Sequence, residues 1–264
     1  MRIATYNVNG VNGRLPRLLE WLRDTQPDVV CLQELKTDDT KFPIAALRHA
    51  GYDAVWHGQR SHHGVAILAR GETPQEVRRG LPGEARDVHT RYVEARVAGL
   101  RVASVYLPNG NPVGSDNYAY KLRWFERFIR HASPLATLDE PVILAGDLNV
   151  VPTDRDIYNP AWWRFDAVMQ PEVRDAYVRL VSQGWVDAAR RLRPDERIYT
   201  FWTTEQAYAR NKGFRLDFLL VNEALAPRLR AFDVDASFRG GIKPSDHAPA
   251  WIEVARSRAM RSGR

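Results

Sequence analysis

The sequence predicts an α/β fold of four layers. Two mixed, mostly antiparallel β-sheets pack face to face, with helices on the outer faces. Three observations lead there. Short apolar runs recur along the whole chain and outnumber the helical stripes. Several neighbouring runs are joined by turns as short as Ala98-Gly99-Leu100, which only antiparallel strands allow. The clear helices are amphipathic and must each cover a sheet face.

The strand expectations, in order, are Ile3–Val8, Asp28–Gln33, Tyr52–His57, Gly64–Ala69, Arg91–Val97 and Arg101–Leu107, then Pro141–Gly146, Arg215–Val221, Phe232–Ser237 and Pro249–Val254. Leu15, Leu18, Leu19 and Leu22 fall at i, i+3, i+4 and i+7 and predict a first helix. Tyr118, Leu122, Phe125 and Ile129 predict a second. Val173, Ala176, Tyr177, Leu180 and Val181 predict a third, closed by Gly184. The expected organisation is a single domain over 1–255. The basic stretch 256–264 lacks large apolar residues apart from Met260 and is expected to fray.

Lys plus Arg is 38 against 32 for Asp plus Glu, a net charge of +6. Such a balance favours polyanionic partners, although many basic proteins bind none. The only cysteine, Cys31, sits in an apolar run. It makes no intrachain disulfide and no cysteine zinc site, and reads as a small buried hydrophobe. The start MRIATYNVNG has no signal-peptide run, and no stretch is apolar enough to span a membrane. The expected location is the cytoplasm.

Five strands carry a polar residue at or near an end: Asn7, Glu34, Asp147 with Asn149, Asp217, and Asp246 with His247. In PVILAGDLN the plain reading of Asp147 and Asn149 is a turn. Five such strands together suggest a shared rim, where open sheets place their sites. Asp217, inside an apolar run, needs a compensating partner. Unless it stands on a partly exposed edge, that partner is either a buried arginine or His247, which would then form a His–Asp dyad. There is no GxSxG and no GxxxxGK[ST]. His62 and His63 lack a zinc spacing and read as loop residues. Hard oxygen donors plus one imidazole in a basic protein point to metal-assisted phosphodiester hydrolysis.

The motifs IATYNVNG, LQELK, VYLPNG, AGDLN, RLDFLLV and KPSDHAP, in this order, resemble those of the exonuclease III class of abasic-site endonucleases, in the endonuclease/exonuclease/phosphatase superfamily. The resemblance runs from about Met1 to Val254. It implies the DNase I-like four-layer sandwich. It also implies Mg²⁺, with Mn²⁺ as a possible substitute, and cleavage 5′ to an abasic site. Exonuclease action from 3′ ends and 3′-phosphatase or phosphodiesterase action go with it. The implied partner is double-stranded DNA with abasic sites or damaged 3′ ends, not a membrane, and the implied state is a monomer.

By motif, Glu34 is the principal metal ligand, with Asn7 beside the metal, Asn9 in support and Asp246 as a second metal-side carboxylate. Asp147 orients or deprotonates the attacking water. Asn149 binds the scissile phosphate. His247 bonds a phosphoryl oxygen and is held by Asp217. Tyr106 reaches the phosphate from the opposite side, with Asn109 nearby. The base is either Asp147 or the His247–Asp217 dyad. Phe201, Phe214 and Leu216 correspond to the pocket for a flipped abasic sugar, although without the resemblance they would read as core. Trp202 reads as core. Trp162 and Trp163 either pack or stack on DNA, with packing favoured. Lys121, Arg210 and Lys212 are candidates for the DNA backbone or for a solvated face. A phosphoesterase for lipid or inositol phosphates and a silent DNA-binding protein are the competing readings. Substrate choice separates the first from a nuclease, and metal-dependent turnover separates the second.

Overall fold

The computed structural model describes residues 1–256. The stretch 257–264, most of the expected tail, lies outside the described residues. In chain order the strands are β1 (Arg2–Asn7), β2 (Val29–Gln33), β3 (Tyr52–His57), β4 (Val65–Arg70), β5 (Gln75–Arg79), β6 (Tyr92–Val97), β7 (Leu100–Tyr106), β8 (Val142–Asp147), β9 (Val186–Asp187), β10 (Asp217–Val221), β11 (Leu229–Val234) and β12 (Ala250–Val254). The helices are α1 (Leu15–Thr25), α2 (Ile44–His49), α3 (Asp116–Ala136), α4 (Pro171–Val181), α5 (Ala188–Leu192) and α6 (Glu205–Ala209).

One sheet runs β11-β12-β1-β2-β4-β3 and the other β5-β6-β7-β8-β10-β9. Only β1–β2 and β7–β8 are parallel pairs; the other named pairs are antiparallel. Ile3, Val29, Ile67, Val102, Ile143 and Leu219 meet between the sheets. Leu18, Trp21 and Leu47 from α1 and α2 cover the far face of the first sheet. Trp124, Phe125, Phe128, Val173 and Leu180 from α3 and α4 cover the far face of the second. The expected four-layer DNase I-like sandwich is therefore present.

Period-2 alternation carries polar residues into the inter-sheet space at one rim. On β1 the inward residues run Ile3, Thr5, Asn7, and on β8 Ile143, Ala145, Asp147. Antiparallel β10 enters at the same rim, so Asp217 stands opposite Asp147. Tyr106 ends β7 beside Asp147 in the parallel pair. Behind this rim Thr5, Gln33 and Ser104 bond to one another and satisfy their own polar atoms. Gly146 is required by close approach, because a Cβ there would lie 1.9 Å from the Val105 carbonyl oxygen.

Several expectations shift. The Phe232–Ser237 strand starts earlier and ends at Val234, and Ala236–Arg239 is a 3-10 turn. The third helix is capped at Ser182, with Gly184 two residues further at φ +104°. Strands β5 and β9 and helices α2, α5 and α6 carry too weak a pattern to have been expected.

Candidate active site

The rim residues meet at a cavity of about 230 Å³. Glu34, Tyr106, Asn109, Asp147, Asn149, Asp246 and His247 form its polar wall, and Phe201, Phe214 and Leu216 its apolar wall. Asn7 and Asp217 lie behind, each bonded to a residue of the wall. The structure thus brings together every site residue expected from the sequence. Glu34 and Asn149 hold left-handed backbones (φ 53° and 45°), as do Asn9 and Lys36 (47° and 51°). Asn tolerates that region, whereas Glu and Lys rarely adopt it, and such strain gathers at functional sites.

Two bonded groups share the cavity. In the first, Asn7 Nδ2 donates to Glu34 Oε1 (2.9 Å) and to Asp147 Oδ2 (3.0 Å). Tyr106 Oη donates to Glu34 Oε1 at 2.7 Å, and the Lys36 ammonium lies 2.7 Å from Glu34 Oε2. Burial alone would raise the Glu34 carboxyl. Bonds from Asn7, Lys36 and Tyr106 overcome it and hold the group at about 2. Asn9 Nδ2 donates to Asp246 Oδ1 at 2.9 Å, and Lys36 Nζ donates to Asn9 Oδ1 at 2.6 Å.

In the second group, His247 Nδ1 lies 2.7 Å from Asp217 Oδ2, and Nε2 lies 3.8 Å from Asp147 Oδ2. The other Asp217 oxygen is buried with no hydrogen-bond partner among the described residues. Arg215, the arginine nearest in sequence, is instead held by Asp156 and Asp187, so His247 is the Asp217 partner. Burial disfavours a charged His247, but Asp217, with help from Asp147, raises it to about 10. Burial raises Asp147 to about 7 against the pull of the His247 charge. At neutral pH His247 is therefore a charged imidazole, and the Asp147 carboxyl beside it lies near its own midpoint.

Asp147 ends β8 and the chain beyond it makes no regular backbone turn; a side-chain bond closes the segment locally. Asn149 N donates to Asp147 Oδ1 at 2.9 Å. Asn149 Nδ2 donates to the Leu107 carbonyl, and Asn149 Oδ1 accepts from Asn109 Nδ2 at 3.2 Å. Tyr106, expected to reach the substrate, commits its proton to Glu34, while the Arg91 guanidinium stacks on its ring at 4.7 Å.

The donor set can be tested for a metal. Glu34 and Asp246 supply hard carboxylate oxygens, and an ammonium already bridges Glu34 and Asn9, so the corner attracts cations. Among the described residues no three His, Cys, Asp or Glu side chains form a metal-holding group. Such a corner does not fit zinc, but it fits Mg²⁺, which takes one or two carboxylates and keeps its waters.

Sequence reasoning missed Asp166, Val168 and Thr203, which also line the cavity. Asp166 and Thr203 come from irregular chain and Val168 from a three-residue 3-10 turn, too short to show a period. Trp163 lines it too and packs edge-on against Phe214 (4.8 Å between ring centroids). Packing is therefore right for Trp163, whereas Trp162 is 68% exposed. Trp202 is core, as expected. Lys121 is a correction: it is fully buried under the rim and cannot face DNA. Arg210 is exposed, and Lys212 lies 5.4 Å from the Trp162 ring.

Comparison with known proteins agrees with this fold. Residues 4–247 match the Endonuclease/Exonuclease/phosphatase family. Exodeoxyribonuclease III of Haemophilus influenzae is 31% identical, over 96% of this chain and 99% of that protein. An AP endonuclease from Archaeoglobus fulgidus superposes with a TM-score of 0.92 at 35% identity, covering 96% of this chain and 99% of that one. The 3′ phosphatase NExo from Neisseria, solved bound to a product DNA hairpin, also gives 0.92, at 36% identity and 97% and 99% coverage. No helix among the described residues is long and apolar enough to cross a membrane. With residues 4–247 matched by the family model and a relative 31% identical over nearly its whole length, the chain belongs to the endonuclease/exonuclease/phosphatase family.

Proposed function

We propose that this protein is a DNA-repair nuclease that hydrolyses phosphodiester bonds with Mg²⁺, cutting 5′ to abasic sites and processing 3′ ends. The observation that carries the reading is Asp147. It sits at the cavity floor with a carboxyl near neutrality, 3.8 Å from an imidazolium and bonded to two asparagines.

Glu34 and Asp246, with Asn7 at hand, would hold the ion. When bound, Mg²⁺ would neutralise charge developing on the phosphate oxygens. Asp147 takes a proton from the attacking water, which its low-dielectric surroundings favour near pH 7. Protonated His247 donates to a phosphoryl oxygen, and Asp217 keeps it charged and oriented. Asn149, braced by Asn109 and the Leu107 carbonyl, presents its remaining amide hydrogen to the same phosphate. On this reading the dyad stabilises charge and Asp147 is the base, one of the two assignments the sequence left open. Phe201, Phe214, Leu216 and Trp163 admit a sugar without its base and exclude a full nucleotide by size.

A second reading makes 3′-end trimming the main activity. The same compact pocket suits a terminal sugar, and NExo, similar over nearly the whole chain, is a 3′ phosphatase.

The test is incision of a duplex carrying one tetrahydrofuran abasic analogue, with Mg²⁺, with EDTA, and with Glu34→Gln protein. Nicking 5′ to the lesion that is lost in both controls is the expected result. Trimming of blocked 3′ ends without nicking would favour the second reading. No metal-dependent turnover on either substrate would refute both.

A further inference from the structure

Lys121 lies on α3, on the side packed against the second sheet, and is 0% exposed. Its ammonium donates to the carbonyl oxygens of Asn109 (2.9 Å) and Asn149 (2.6 Å). These belong to two different loops, one leaving β7 and one leaving β8. The path is cleared by Gly110, at φ +87°, where a Cβ would lie 2.5 Å from Lys121 Cδ. Asn149, also left-handed, turns its carbonyl inward to the ammonium and leaves its side chain at the cavity. Asp147 and Asp166 from the β8 side and Arg91 from the start of β6 are the charged groups that act on Lys121. Burial pushes the amine down to about 7.

A buried ammonium bonded only to carbonyls is an expensive way to fill a core position that a methionine would fill at lower cost. What a methionine cannot do is join the two loops.

We propose that Lys121 is a positioning residue of the hydrolytic site, clamping the Asn109 and Asn149 loops so that both amides and Asp147 meet the scissile phosphate in fixed register. This rests on the phosphodiester reading above. The link is direct: Asn109 bonds Asn149, and Asn149 N bonds Asp147. A shift of about 1 Å in such a constellation costs roughly a hundredfold in rate.

The test begins with Lys121→Met. In single-turnover cleavage of the tetrahydrofuran duplex the rate is expected to fall roughly 10- to 100-fold, while KM for DNA stays nearly unchanged. Hydrogen exchange at Asn149 N and Asn111 N, which close the two loops, is expected to quicken. A rescue separates the amine from mere packing. In a Cys31→Ala background, Lys121→Cys is alkylated with 2-bromoethylamine while unfolded and then refolded, which restores a primary amine at nearly the same reach. Most of the lost rate is expected to return. A wild-type rate in folded Lys121→Met, or an aminoethylated protein no faster than the untreated cysteine variant, would overturn the proposal. Because exchange needs no turnover, it distinguishes the two failures. If the wild type cuts no phosphodiester, the functional reading fails, whereas unchanged exchange in Lys121→Met overturns the clamp itself.

Discussion

Asp217 and His247 are joined by a single short bond, 2.7 Å from Oδ2 to Nδ1, with both side chains buried. This bond and the Asp217 charge raise His247 to about 10. Asp217→Asn keeps the shape and removes the charge. His247 should then lose its proton near neutrality, and the alkaline limb of the pH–rate profile should move down by more than a unit. At pH 8 the rate should fall by roughly tenfold or more. NMR titration of His247 checks the assignment, and an unmoved limb would refute it.

Asp147 predicts the acid limb. Burial raises its carboxyl to about 7, so the active carboxylate is depleted below that pH and the rate should climb through it. Asp147→Asn should cost roughly 10²- to 10⁴-fold with DNA binding retained. The residual activity should lack the limb near 7. If the limb survives, another group is the base.

The apolar wall predicts both stability and selectivity. Phe214 is buried, edge-on to Trp163 at 4.8 Å and to Phe201 at 5.6 Å. Phe214→Ala should lower unfolding free energy by about 3–5 kcal/mol, read from urea titration. The widened pocket should also lower the preference for an abasic site over an intact nucleotide by roughly tenfold or more. Loss of stability with unchanged preference would place Phe214 outside substrate selection.

Lys121 predicts a pH-dependent stability. The unfolded chain keeps this proton up to its ordinary value of 10.5, and the folded chain loses it near 7. Between those limits unfolding takes up a proton, so wild-type stability should rise with pH relative to Lys121→Met, by up to about 1.4 kcal/mol per pH unit. Below about pH 7 both states hold the proton and the difference in slope should vanish. Parallel stability curves for the two proteins across pH 7–10 would show that Lys121 is not depressed.

Much of this was legible in the sequence. The strands that build the rim are apolar runs, and the site residues stand at their ends, where alternation brings Asn7, Asp147 and Asp217 to one space. Strand β5 was missed because Gln75–Arg79 is a largely exposed edge with no apolar face. The five- and six-residue helices are too short to show a period. Lys121 was misjudged by its charge, although its spacing places it with the core. It lies three residues after Tyr118 and four before Phe125, on the buried stripe of α3. Asp166, Val168 and Thr203 had no such signal, because loops and a three-residue 3-10 turn reach the cavity only through tertiary contacts.

The pairing of β1 with β12 has a consequence for biosynthesis. The second strand partner of β1 is β12, more than 240 residues later among the described residues, and Asp246 and His247 arrive just before it. An emerging chain can assemble most of the second sheet, with Asp147 and Asp217, while Asn7 and Glu34 still lack His247. The centre therefore closes as a late, long-range event of folding. Ribosome-stalled chains ending before Asp246 should be inactive and protease-sensitive, so a nascent nuclease stays harmless to nucleic acid until Asp246 and His247 have emerged.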